Sequence, residues 1–383
     1  MLYVGVPLLA VARTPVALQL LQAFASALVA PAVYRIAARS LPQRTALVLA
    51  WVAVAYPSLA AVTFVDFHEN GFVAPLVLWL AWSVLARRFA LASVLAGALL
   101  CVKEDEALIL AFAGMVTALV AARAGDRRLA VLSAGTALAA CGVAAGYFLW
   151  LQPLAAGGRA WDPLRFYAGA AGHGDALTVS YASPARLGYV LEALYPLLFT
   201  PLLSKRFVYV LPGLAEDVLS RHSLPFSMNS HYPAVWVPWM LFAAVDGCAV
   251  ARRLGGRRTA GTATALLVAC CAVLTLSSPT HWRRYLSWPG AHDARLQATL
   301  DALPREADIG TQDEIFSHLG FDPNARVGLA RRPHVVVIDA TREADSYYVP
   351  MLRRAVAPGR GYALVRGIDG IAVYRRPSLR MPS

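Results

Sequence analysis

Charge is scarce in this chain. Only 15% of its 383 residues are Asp, Glu, Lys or Arg, against 58% that are hydrophobic. That is too little charge to cover an ordinary soluble domain. Cysteine is scarce as well: Cys101, Cys141, Cys248, Cys270 and Cys271 all fall within or at the ends of apolar segments, and no CxxC occurs. They are expected to be small buried hydrophobes, with no disulfide or metal role. The sequence has no Walker loop, no HExxH, no zinc-type spacing and no Ser-His-Asp order. It also lacks the basic n-region and small-residue cleavage site of a secretory signal, and it carries no internal repeat.

What is present is a succession of long apolar runs. Segments 15–34, 45–64, 129–150, 232–250 and 260–278 are each about 20 residues long and nearly uncharged, enough to cross roughly 30 Å of hydrocarbon. Segments 71–86, 107–122 and 187–203 are a little shorter. Segments 89–102 and 207–220 are short, and 2–12 is shorter still. About ten or eleven membrane segments are predicted, all helical, because a helix satisfies its own backbone in lipid. The chain begins almost at once on apolar residues, an abrupt start that predicts an upstream helix and loop.

The formal net charge of +12 reports topology rather than a nucleic-acid partner. Fourteen Lys and Arg lie in one set of alternate connections: Arg35, Arg39, Arg44, Arg87, Arg88, Arg123, Arg127, Arg128, Lys205, Arg206, Arg252, Arg253, Arg257 and Arg258. The opposite connections hold about six, including Arg13. By the positive-inside rule the arginine-rich connections are cytoplasmic. The chain is therefore placed in a bacterial inner membrane as a multi-pass protein with an extracytoplasmic C-terminus. Membrane lipid is its expected surrounding.

Two acidic clusters emerge on the side opposite the arginines. Asp66, His68 and Glu69, spaced i, i+2, i+3 at a helix–loop junction, bring two carboxylates and an imidazole around one small volume. Such a group can take a proton from a hydroxyl or hold a divalent cation. It can equally be a solvated loop tip turning at Asn70-Gly71. Lys103, Glu104, Asp105 and Glu106 form the second cluster. Their carboxylates can simply complement a helix N-terminus, whereas Lys103 can pair with them or with a phosphate. A third group comprises Glu216, Asp217, Arg221 and His222, with His231 and Tyr232 following across a short loop. Acids in a membrane segment suggest function; an ion pair with Arg221 is the structural alternative. Arg221, His222 and His231 can crowd one spot and bind a phosphate. The aromatic loop 151–186 (Trp161, Asp162, Arg165, Phe166, Tyr167, His173, Asp175) and the exit at His281, Trp282, Arg283 and Arg284 are expected at the interface.

Beyond about residue 279 the composition turns ordinary. Two domains are expected, a multi-pass part over 1–279 and a small extracytoplasmic α/β domain over 280–383. In the latter His292–Leu303 and Glu343–Ala357 read as helices, Ala307–Gly310 and His334–Asp339 as strands. Tyr362–Arg366 and Ile371–Tyr374 read as a hairpin around Asp369-Gly370.

Asp66-Phe67-His68, Lys103-Glu104-Asp105, Leu197-Leu198-Phe199-Thr200-Pro201-Leu202 and Leu211-Pro212-Gly213-Leu214-Ala215-Glu216 together resemble a bacterial domain-of-unknown-function family of polytopic membrane proteins. That family is similar to the GT-C glycosyltransferases. The resemblance covers most of the chain. It implies an α-helical polytopic GT-C-like fold and transfer of a sugar from a polyprenyl-phosphate donor on the extracytoplasmic face. Asp66, His68, Glu69, Glu104 and Asp105 would be catalytic, and Lys103, Glu216, Arg221, His222 and His231 would hold substrate. A divalent metal is compatible with this chemistry and not required by it. In such enzymes the key carboxylate usually lies in the first external loop, which this chain does not show. A non-catalytic membrane protein whose tail binds an envelope partner is the alternative; a transporter is the third.

Overall fold

The computed structural model describes residues 6–12, 15–64, 67–155, 157, 180–221, 224–228, 230–277, 289–304, 306–319, 322–329, 332–342 and 348–376. The chain divides into two compact units. One joins Met1–Val4 to Gln19–Trp282, the other Gly5–Leu18 to Arg283–Ser383. The interfacial loop residues Trp161 to Asp175 and the exit His281 to Arg284 lie outside the described residues.

The apolar runs become helices α1 (Val6–Ala12), α2 (Pro15–Ala27), α3 (Val29–Ala37), α4 (Gln43–Ala55), α5 (Pro57–Phe64), α6 (Val73–Leu85), α7 (Phe89–Leu100), α8 (Glu104–Arg123) and α9 (Arg127–Gly146). After a π-turn at Tyr147–Leu151 come α10 (Gln152–Ala155), α11 (Ala185–Leu194), α12 (Leu211–Leu219) and α13 (Val237–Ser277). Among the described residues three helices are long and apolar enough to cross a membrane: Val16–Ala37, Glu104–Arg123 and Arg127–Ala155. A fourth arises if α4 and α5 count as one span, bent by 54° where Pro57 removes a backbone donor. Their outward faces are apolar: Trp51, Leu119, Leu138, Leu149 and Trp150 are all exposed, as lipid-facing positions are. Cys101 and Cys141 share that exposed surface, so the expectation of burial holds for Cys248 but not for these two.

Small residues let the helices approach closely. A Cβ on Gly114 of α8 would lie 2.8 Å from the Ser133 carbonyl of α9, so the two backbones touch there. Asp126 sets the turn between them: its carboxylate accepts from the Leu129 amide at 3.2 Å and pairs with Arg87.

Two apolar segments differ from expectation. The run 187–203 is not a single helix. Pro196 and Pro201 cannot donate to a helical ladder, and after α11 the chain turns through left-handed Leu198 and Phe199 (φ 51° and 54°) into short 3₁₀ turns. Gly247 of α13 explains how this fits, since any Cβ there would overlap the Thr200 carbonyl. Conversely, 232–250 and 260–278 are not separate. No proline interrupts 239–277, and α13 runs for 41 residues straight through the arginine stretch from Arg252.

The second unit contains α14 (Ala291–Asp301), β1 (Ile309–Thr311), α15 (Asp313–Phe316), β2 (Ala325–Val327), β3 (Val335–Asp339), α16 (Tyr348–Ala355), β4 (Ala363–Ile368) and β5 (Ile371–Arg375). The sheet order is β2-β1-β3-β5-β4, with β1, β2 and β3 parallel and β5 antiparallel to β3 and β4. The expected hairpin forms on Asp369 and Gly370, both left-handed, a two-residue turn suited to the strand twist. Strand β2 and helix α15 went unread because each is only three or four residues long. The continuous Val-Val-Val-Ile run of β3 is buried on both faces: Val335 and Val337 pack on the side of Leu296, Val336 and Ile338 on the side of Val349 and Leu352.

Candidate functional site

The first cluster sits at the 3₁₀ turn Glu69–Phe72 between α5 and α6. Gln22 of α2 holds it in place. Its amide donates to the Val62 carbonyl at 2.5 Å, and its oxygen accepts from the His68 amide at 2.7 Å. Asn70, buried, donates to the His231 carbonyl at 3.0 Å. The rings then stack: His68 on His231 at 3.7 Å between centroids, and His231 on Tyr232 at 4.4 Å. The loop at 231 is thus locked to the loop at 68, two segments 163 residues apart in the chain. Below this turn lies a largely apolar cavity of about 210 Å³, lined by Ser26, Val54, Leu59, Thr63, Asn70 and Gly71 among others.

The second cluster opens α8. Lys103 takes extended geometry as N-cap, and Glu104, Asp105 and Glu106 fill the first turn, where negative charge complements the helix dipole. The Lys103 ammonium pairs with Asp105 at 2.5 Å, with both side chains mostly covered. Burial works against the Lys103 charge, but the bonded Asp105 carboxylate, with Glu216 and Glu104 nearby, outweighs it and raises the lysine above its ordinary range. Glu106 is 0% exposed, and neither of its oxygens has a hydrogen-bond partner among the described residues. It is more than a dipole partner, because helix capping does not require a third acid to be buried.

The third group lies on α12. Asp217, 3% exposed, accepts from the Tyr189 hydroxyl and the Trp236 indole N–H, each at 2.7 Å. Glu216 lies within electrostatic reach of Lys103, and Tyr232 within reach of both Lys103 and Asp217. Arg221 sits over the Tyr181 ring at 5.7 Å. Beside it the buried Arg186 lies over Phe226 at 4.5 Å and donates to the Ser180 and Val218 carbonyls.

The structure therefore stacks His68, His231 and Tyr232, pairs Lys103 with Asp105, and places Tyr232 and Glu216 within electrostatic reach of Lys103. Glu104 lies within reach of Lys103. Glu69 opens the first turn and shows no contact that ties it to these groups. Asp66 and His222 lie outside the described residues. No group of three His, Cys, Asp or Glu side chains among the described residues is arranged to hold a metal ion.

Residues 1–291 match the model of a family described as predicted membrane protein, DUF2079. The chain belongs to that family. Its fold is also similar to the crystal structure of ArnT from Cupriavidus metallidurans bound to undecaprenyl phosphate, with a TM-score of 0.52 over 96% of this chain and 85% of that one. The identity is 13%, so the likeness is one of fold. No curated protein matches the sequence significantly. The chain is thus a membrane protein of α-helical GT-C-like architecture carrying a small sheet domain.

Several site residues escaped the sequence. Gln22 had a visible signal, being one of two glutamines inside the apolar run 15–34. Asn70 was read only as a turn former, yet its amide anchors His231. Tyr189, Trp236 and Arg186 had no signal, because aromatics and a lone arginine near membrane segments are common as anchors.

Proposed function

We propose that the protein is a GT-C-type membrane glycosyltransferase that takes its sugar from a polyprenyl-phosphate donor on the extracytoplasmic face. The observation that carries this is the convergence of Lys103, Asp105, Glu216, His68 and His231 at one end of the helical unit. A partly covered cation stands there beside carboxylates able to accept a proton. The ArnT structure, which is bound to undecaprenyl phosphate, supports a lipid-phosphate partner for a chain of the same fold. The apolar cavity beneath Asn70 supports lateral entry of a lipid chain beside the site.

In this scheme the acceptor hydroxyl oxygen attacks the anomeric carbon of the donor sugar. Asp105, or Asp66, takes the hydroxyl proton. The bond between the anomeric carbon and the phosphate oxygen breaks, and its electron pair leaves on the polyprenyl phosphate. Lys103, Arg221, His222 and His231 stabilise that negative charge, an electrostatic role that operates best where water is partly excluded. Asp217 does not enter the chemistry; its Oδ2 accepts from both Tyr189 and Trp236, which holds α12 with Glu216 in electrostatic reach of Lys103.

The test is transfer of radiolabelled sugar from polyprenyl-phosphate donors by the reconstituted protein. Transfer that survives alanine at Asp66 and Asp105 together overturns this assignment.

A further inference from the structure

A second groove lies at the other end of α8. It is bounded by α6, α7, α8, α9, the 3₁₀ turn Lys205–Val210 and the start of α13, with a volume of about 290 Å³. Its walls are mainly Leu, Val and Ala, with Tyr209, Trp239 and Phe242 on one side. Val120, which lines it, is exposed on the α8 surface, so the groove reaches the outer face of the unit. Along α8 the groove runs from Leu110 to Ala121, and its outer opening at Val120 lies sixteen residues beyond Glu104, or about 24 Å along the axis.

Its mouth is basic. Arg206 lines it, stacked over Phe242 at 4.4 Å. Arg87, Arg88, Arg123, Arg127, Arg128 and Lys205 are exposed on the elements that bound it. The acids there are engaged: Asp126 by Arg87 and the Leu129 amide, Asp246 by Ser204 at 2.7 Å and Arg206 at 3.9 Å. An apolar slot between membrane helices, lined by Arg206 and bounded by elements and connections that carry six more cations against two engaged acids, matches one occupant, an anionic membrane phospholipid.

We propose that this groove holds an acyl chain of an anionic phospholipid, with the lipid phosphate against Arg206 and the arginine-rich rim. The charge complementarity argues for a phospholipid rather than a neutral lipid, and the apolar walls argue for a lipid rather than free phosphate.

The test is native mass spectrometry of the intact protein released from nanodiscs containing equal phosphatidylglycerol and phosphatidylcholine. Wild type retains phosphatidylglycerol over phosphatidylcholine by at least about fivefold, the effect of one well-placed cation. Excess inorganic phosphate does not displace it. Arg206→Gln abolishes the preference, and the exposed-rim variant Arg123→Gln with Arg127→Gln reduces it. Val120→Trp with Thr136→Phe fills the slot and lowers retention of both lipids. Equal retention of the two lipids, displacement by phosphate, or unchanged retention in the slot-filling variant overturns the proposal.

Discussion

The His68 imidazole lies almost flat on that of His231, with 22° between the ring planes. Asn70 fastens the same pair of loops through the His231 backbone carbonyl, so the stack can be removed without releasing the loop. His231→Ala should therefore lower sugar transfer about tenfold, about 1.4 kcal/mol in the barrier, while thermal unfolding stays near wild type. His231→Phe keeps a flat ring over His68 but offers no nitrogen to a phosphate. It should stay folded and remain as slow as the alanine variant. Wild-type transfer rates in both variants would remove His231 from the site.

Asp217 offers a stability test. Replacing it with alanine strips the acceptor from both the Tyr189 hydroxyl and the Trp236 indole in a buried setting. Each orphaned donor costs about 1–3 kcal/mol. Asp217→Ala should thus unfold well below wild type in detergent, whereas Asp217→Asn, which keeps an acceptor oxygen, should lose distinctly less. Equal losses in the two variants would show that charge rather than hydrogen bonding matters there.

The close approach at Gly247 predicts a larger effect from one methyl group. A Cβ there meets the Thr200 backbone rather than a movable side chain. Gly247→Ala should cost about 3 kcal/mol or more, at the high end for overpacking. Loss of folded protein in detergent-solubilised membranes, read by size-exclusion chromatography, checks this. Ala249, two residues along the helix, should tolerate Gly with a much smaller loss.

The sheet domain carries a pH signature. The His292 ring nitrogens lie 2.7 Å from Asp339 and 3.1 Å from Asp369, so the protonated ring donates to both carboxylates, and Arg295 also donates to Asp369. The hydrogen bond with Asp339 raises the His292 pKa against the opposing effect of burial. Burial works against the Asp339 charge, but hydrogen bonds from Thr341 and His292 outweigh it and hold that carboxyl below its usual range; the Arg295 guanidinium does the same for Asp369. The histidine contribution is complete below its unfolded value, about 6.5, and is lost as pH rises through the raised folded value. The carboxylate contributions are complete above about 3.9 and are lost as pH falls through the depressed folded values. Hydrogen-exchange protection of the β3 and β5 amides in the intact protein should therefore peak between about pH 4 and 6.5. His292→Gln should flatten the upper limb; an unchanged upper limb would show that His292 does not couple to folding.

The parts of this molecule legible in sequence are those written in long, uniform patterns. Apolar runs such as 107–122 and 129–150 became α8 and α9 because helix formation is the one solution for a backbone in hydrocarbon. The hairpin at Asp369-Gly370 was legible because two left-handed residues favour few sequences. The breaks were harder. The run 187–203 reads as apolar, and only Pro196 and Pro201 hint that the chain abandons a helix to lay Thr200 on Gly247. The Arg252 stretch reads as a loop, yet charge alone does not end a helix when no proline or cap is supplied. For the site, the acids were visible one cluster at a time. Their convergence through Tyr232 was not, because stacking among residues 68, 231 and 232 depends on tertiary contact that spacing does not encode.

Helix α13 begins one residue after Trp236, the donor that grips Asp217. Its 41 residues amount to about 61 Å of rigid rod, roughly twice the hydrocarbon thickness of a bilayer. Beyond Pro238 in its first turn no proline breaks it, so a change of tilt along the helix is carried toward Trp236. The acidic site is thereby tied mechanically to the thickness of the membrane around it.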